Sequence, residues 1–193
     1  GEKLKILPWT TFMILLAFNW AGTQHLPNTK LKDLSNKRQE LSQYYKDGPL
    51  LLNFWNLACE PCKKEMKELD KINIKYRDSG FDYVSINIDS PRSMSKVKSY
   101  INSQKFSFTV LSDPRAELFR KIGGKVMPFV IIADSTGEII SRHVGYNPGD
   151  EKALEKEIKH LLGIPDIEDD TLQIKADIPT SVESNKLVEP ATE

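Results

Sequence analysis

The chain has only two cysteines among its 193 residues, and they lie three apart as Cys59-Glu60-Pro61-Cys62. Two intervening residues let one sulfur reach the other. The pair can therefore open and close as a dithiol–disulfide couple and resolve a mixed disulfide internally. The thiolate is the reactive form, and a thiol of ordinary pKa ~8.5 is pulled towards neutrality or below at a helix start. There the unpaired N–H groups and the helix dipole favour an anion. Lys63 and Lys64 add positive charge beside the pair, and Glu60 between the cysteines pulls the other way. Pro61 suits a first helical turn, where no N–H is needed.

Other uses of two cysteines fit less well. A structural disulfide scaffold wants more of them, and a four-cysteine zinc site is impossible. A mixed site would need His25, His143 or His160, none of which lies at finger-like spacing from the pair. No metal and no cofactor is expected. Lys+Arg and Asp+Glu are both 27, so the formal charge is zero. From residue 164 onward, however, there are eight acids and two lysines, a net of −6, so the rest of the chain carries +6. That basic excess is spread out, with no run of arginines and aromatics, and reads as solvated surface; no nucleic acid is expected.

The elements that must position the pair follow from periodicity. Residues 50–55 form an apolar run with the make-up of a buried strand. After the cysteines, Met66, Leu69, Ile72 and Ile74 mark the apolar face of a helix ending near Arg77, broken by Ser79-Gly80. Residues 81–89 alternate as a central strand. Ser93 is a candidate cap for a helix to Gln104, with Met94, Val97, Tyr100 and Ile101 as its buried stripe. A short strand over 106–111 and a short helix over 115–122 come next. Lys125-Val126-Met127-Pro128-Phe129 leads into a hairpin over 129–133 and 138–144, turned at Asp134-Ser135-Thr136-Gly137. A last helix is expected from Asn147 as cap and Pro148 as first residue to Leu162, with Gly163 as its stop. Before the core, 30–34 and 38–41 are short extended pieces around Ser35-Asn36-Lys37, and residues 42–46 make a helical turn. Strands alternating with helices, then a hairpin and a helix, give an α/β fold: a central mixed β-sheet flanked by helices.

The two ends differ in kind. Residues 1–22 combine Lys3 and Lys5 with an apolar core, which reads as a signal peptide or N-terminal anchor. The apolar run is shorter than the ~20 residues of a full membrane span. Residues 164–193 hold three prolines, eight acids and no aromatic residue, and read as an acidic flexible tail. The folded domain is expected over 26–163.

The stretch Asn53-Phe54-Trp55-Asn56-Leu57-Ala58-Cys59-Glu60-Pro61-Cys62-Lys63 resembles the active-site segment of the thioredoxin superfamily. The run Cys-Glu-Pro-Cys-Lys-Lys-Glu is similar to its TlpA/ResA branch of extracytoplasmic thiol-disulfide oxidoreductases. The resemblance implies a thioredoxin-like fold with an N-terminal β-hairpin extension, which residues 25–47 would supply. Two positions depart from general thioredoxins: Ala58 replaces a tryptophan, and Asn53 replaces a buried aspartate and cannot move a proton. In the ResA-like branch a glutamate three residues after the second cysteine does that work, and Glu65 stands there. The resemblance also implies a cis peptide before Pro128, leaving the Met127 backbone free to pair with an extended substrate beside Cys59.

The mechanism this implies has Cys59 attack a substrate disulfide and Cys62 resolve the mixed disulfide. Glu65 accepts the Cys62 proton, with its pKa raised if the carboxyl is desolvated. Trp55, Glu60, Pro61, Met127 and Pro128 are the candidate substrate-binding residues; Trp55 also reads as packing under the loop. Tyr83, Phe108 and Phe129 read as core. The partners implied are protein disulfides, including apocytochrome c haem-site thiols, and a membrane or periplasmic thiol electron donor. The expected location is the periplasm or cell envelope. Two rival readings are a copper-binding module like the Sco proteins and a peroxiredoxin-like peroxidase. The first resembles a longer cysteine spacing with a later histidine, for which His143 is the candidate; the second needs a Thr and an Arg that do not flank Cys59.

Overall fold

The run Leu50–Trp55 forms strand β3 and is buried along its whole length. Such a strand must lie in the middle of a sheet covered on both faces. The computed structural model describes residues 24–166, and in it β3 is central to a seven-stranded sheet. The elements are β1 (Lys30–Asp33), β2 (Arg38–Glu40), β3, α1 (Glu60–Tyr76), β4 (Asp82–Asn87), α2 (Met94–Gln104), β5 (Thr109–Ser112), α3 (Glu117–Lys121), β6 (Phe129–Ala133), β7 (Ile139–Val144) and α4 (Glu151–Leu161). The strand order is β2-β1-β5-β4-β3-β6-β7. Strand β4 runs parallel to β3 and β5, and the remaining pairs are antiparallel, so the sheet is mixed.

The side-chain period of two sorts β3 between the faces. Leu50, Leu52 and Phe54 pack with Val84, Ile86, Leu118, Phe119 and Ile131 on one side. Leu51 and Trp55 pack with Cys62, Met66, Leu69, Tyr83, Val130 and Leu154 on the other. Asn53 falls on this second face, the one covered by α1 and α4. Where the chain enters β3, Gly48 is irreplaceable: a Cβ there would stand 2.2 Å from the carbonyl oxygen of Gly80.

Several expectations shift. On α1 the buried positions are Cys62, Glu65, Met66, Leu69, Ile72, Asn73 and Tyr76, while Ile74 is 54% exposed. Ile74 lies five residues beyond Leu69, which turns it to the outer side of the helix. Residues 41–44 form the helical turn after β2 as a 3₁₀ segment. Ser93 makes no side-chain cap on α2, and of its expected stripe only Val97 is fully buried. The strand expected over 106–111 is displaced to β5, because Phe106 and Phe108 stack on each other beside Tyr83 and Tyr100 instead of pairing in the ladder. α3 begins two residues late: the Asp113 carboxylate accepts the N–H groups of Glu117 and Phe119, so Asp113 closes the turn that precedes the helix. α4 starts at Glu151 and not at Pro148. The Asp150 carboxylate accepts the Asn147 N–H at 2.7 Å, and Gly149 takes φ 110°, so residues 147–150 form a turn of their own.

The expected leader at 1–22 and most of the expected tail lie outside the described residues. Among the described residues no helix is long and apolar enough to cross a membrane.

Candidate active site

The paired sulfurs stand where β3 hands over to α1. Cys59 is the N-cap of α1 and its sulfur accepts the Cys62 N–H at 3.3 Å; Pro61 occupies the first turn. The negative end of any developing thiolate thus meets the positive end of the helix. In this structure the two cysteines form a disulfide, with Cα atoms 5.3 Å apart. Cys59 is half-buried, whereas Cys62 is fully buried. The Cys62 sulfur lies 3.8 Å from the Phe54 carbonyl oxygen, a contact that becomes an S–H donation only after reduction.

The connecting loop is stitched in place by backbone and side-chain bonds. Ile88 N–H donates to the Trp55 carbonyl, and Cys59 N–H to the Asn56 carbonyl. Asp89, just past β4, accepts the Leu57 N–H and the Asn87 side-chain amide on one carboxylate oxygen, each at 2.8 Å. Trp55 is 0% exposed, with its ring 5.5 Å from that of Tyr100. The expectation of a direct substrate contact through Trp55 is therefore corrected: its indole supports the loop from beneath. Glu60 and Pro61 are exposed on the rim. The Glu60 carboxylate pairs with Lys63 at 2.7 Å, and that bond holds its pKa below the usual carboxylate value. Lys63 also lies 5.3 Å from the Tyr100 ring centre. Glu60's opposition to a thiolate is thereby partly neutralised by Lys63.

Glu65 is one helical turn beyond Cys62, on the same inward face. It is only 1% exposed, and its Oε2 accepts from Asn53 Nδ2 at 3.1 Å. Burial pushes its pKa from 4.5 up to about 8; the Asn53 donor opposes that rise and the charge of Asp150 adds to it. The result is a buried carboxyl that changes its protonation state above, but not far from, neutral pH. Asn53 in turn accepts at Oδ1 from Tyr83 Oη at 3.2 Å and Ser85 Oγ at 2.9 Å. Sequence reasoning treated Tyr83 as core alone and did not single out Ser85 or Asp89. The available signal was polar side chains on the otherwise apolar face of β3 and β4.

The Met127–Pro128 peptide is cis. β6 pairs with β3 so that Phe129 faces Phe54, which places Pro128 one step further, beside Trp55 at the end leading to Cys59. Met127 is half-buried, and both Met127 and Cys59 pack on the cluster that contains Cys62. The structure thus gathers Cys59, Cys62, Glu65, Met127 and Pro128 at one end of the sheet. His143, the candidate copper ligand, sits on β7 with its Nε2 3.0 Å from Glu157 on α4.

The fold and the paired sulfurs define a thioredoxin-like dithiol protein. Comparison with known proteins carries this further. The Redoxin family pattern matches residues 21–158. A thiol-disulfide oxidoreductase ResA from Halalkalibacterium halodurans is 29% identical over 125 residues, covering 65% of this chain and 69% of its own. The thioredoxin-like protein YneN of Bacillus subtilis is 31% identical over 123 residues, 63% of this chain and 71% of its own. Among solved structures, a Chlorobium tepidum protein assigned as a thiol:disulfide interchange protein DsbE superposes with a TM-score of 0.68 at 28% identity, covering 73% of this chain and 97% of that one. The chain belongs to the Redoxin family, and it is a TlpA/ResA-like thiol-disulfide oxidoreductase of the thioredoxin superfamily.

Proposed function

We propose that this protein acts as a reductant of protein disulfides in the cell envelope, with Cys59 as nucleophile, Cys62 as resolving thiol and Glu65 as proton acceptor. The observation that carries the reading is the buried pair Cys62 and Glu65 beneath a more accessible Cys59. The Cys59 thiolate attacks one sulfur of the substrate disulfide, forming a mixed disulfide and releasing one substrate thiolate. Glu65 takes the Cys62 proton, and the Cys62 thiolate attacks the Cys59 sulfur. The second substrate thiolate leaves, two electrons have passed to substrate, and the Cys59–Cys62 disulfide remains. A membrane or periplasmic thiol donor must then restore the dithiol. The Met127 backbone, Pro61 and Glu60 would form the rim that an extended substrate segment meets, with the buried Pro128 holding the Met127 backbone in place. The disulfide between the haem-attachment cysteines of apocytochrome c is the substrate we favour, on the resemblance of the Cys-Glu-Pro-Cys-Lys-Lys-Glu run to the ResA-like branch. The basic-apolar stretch at 1–22, read as a leader or anchor, supports the location outside the cytoplasm.

The Glu60 carboxylate between the cysteines disfavours an extra negative charge on sulfur and hence favours the disulfide, which makes the dithiol a reductant. Thiol trapping in graded redox buffers tests this. A midpoint potential at or below about −250 mV is expected; one near about −120 mV would make the protein an oxidant and reverse the proposed direction.

A further inference from the structure

Asn53 sits inside an apolar strand, wholly buried, and its side chain is committed on both ends. Its oxygen receives the two hydroxyls of Tyr83 and Ser85, and its nitrogen donates to Glu65. The register of β3 on β4 makes this arrangement: Ser85 is the direct partner of Asn53, and Tyr83 lies two residues away on the same face. All four side chains are buried. With its oxygen engaged by both hydroxyls, the amide turns its N–H group to the carboxyl. An N–H donor bonds a carboxylate well and offers nothing to the proton of a carboxylic acid. The opposite orientation would present an acceptor and favour the protonated acid.

We infer that Asn53, oriented by Tyr83 and Ser85, is a positioning residue that keeps the buried Glu65 able to ionise and so able to take the Cys62 proton. The inference rests on the reading of Glu65 as proton acceptor. The groups whose charge or titration acts on Glu65 agree with this division of labour. Cys62 adjoins it on α1, Tyr83 comes from β4, and Tyr146 and Asp150 come from the segment after β7. Asp150 opposes ionisation, and the Asn53 hydrogen bond favours the anion.

The test is a titration of the Glu65 carboxyl carbon by NMR in the oxidised protein, where neither cysteine titrates. The signal is assigned by its loss in Glu65→Gln. Asn53→Leu, and the double variant Tyr83→Phe with Ser85→Ala, should each raise the midpoint by at least about one pH unit, a tenfold weaker acid. Each hydroxyl variant alone should shift it less, and these carry the test if Asn53→Leu does not fold. An unchanged midpoint in folded variants overturns the inference. A second readout is the pH dependence of Cys62 attack on a preformed Cys59 mixed disulfide with a small thiol. If the midpoint moves and this rate profile does not, Asn53 tunes Glu65 but Glu65 is not the proton acceptor. If Glu65→Gln shifts the profile and the Asn53, Tyr83 and Ser85 variants shift neither readout, Glu65 keeps its role and Asn53 loses its own.

Discussion

Replacing Glu65 by glutamine should change how the stability of this protein depends on pH, and the size of the change follows from its burial. The folded-state pKa of Glu65 is raised from 4.5 to about 8, chiefly by desolvation. Between those values the folded state binds more protons than the unfolded state, so stability falls as pH rises. The penalty is absent below the unfolded value and complete above the folded one, and over the whole window it amounts to about 5 kcal/mol. Between pH ~6 and pH ~9, Glu65 alone should cost the folded protein about 2–3 kcal/mol. Glutamine cannot ionise, yet its carbonyl oxygen still accepts from Asn53 Nδ2. Its own amide nitrogen enters a buried place without a designed acceptor, which costs about 1–3 kcal/mol at every pH. Urea unfolding of the oxidised proteins at a series of pH values separates the two effects, since the offset is constant and the slope is not. Asp82, pushed up to about 6 by burial, contributes to both proteins alike and cancels in the difference. Parallel stability curves for wild type and Glu65→Gln would refute the reasoning, because a carboxyl with an ordinary pKa produces no slope in this range.

Cys62→Ser should trap Cys59 in mixed disulfides, visible on non-reducing gels, while Cys59→Ser should form none; disulfide reduction in both should fall below about 1% of wild type. Asp89→Ala removes the acceptor of the Leu57 N–H and the Asn87 amide, so unfolding free energy should drop by about 1.5–3 kcal/mol and amide exchange at Leu57 should speed up. Asp89→Asn, which can still accept, should restore most of the loss; a stability equal to wild type in Asp89→Ala would show that the loop does not depend on this clasp.

The sequence made the frame legible because its strongest signals are local. The run at 50–55, the cysteines at a strand-to-helix hand-over and the Asp134–Gly137 turn each specify their own conformation within a few residues. The misreadings came from competition between local signals and partners. Asn147-Pro148 looks like a helix start, but Asp150 claims the Asn147 N–H and moves the start to Glu151. Ile74 looks apolar enough to be core, but helical phase sends it outward and brings Asn73 and Tyr76 in. The least legible part is the polar network behind the disulfide. Cys59, Cys62 and Glu65 lie within seven residues of one another and announce themselves by spacing. Asn53, Tyr83 and Ser85 come from two strands and acquire meaning only through the β3–β4 register. A lone asparagine in an apolar run reads as the loss of a proton-carrying aspartate, and by itself it is. What the fold adds is a use for the neutral amide. The titrating group lies on the helix, one turn from Cys62, and in the proposed mechanism a second acid at position 53 would compete with it for the same proton. A neutral donor avoids that competition and stabilises the anion that Glu65 becomes in the proposed mechanism, so on that proposal the absence of an acid at 53 and the presence of one at 65 are a single arrangement.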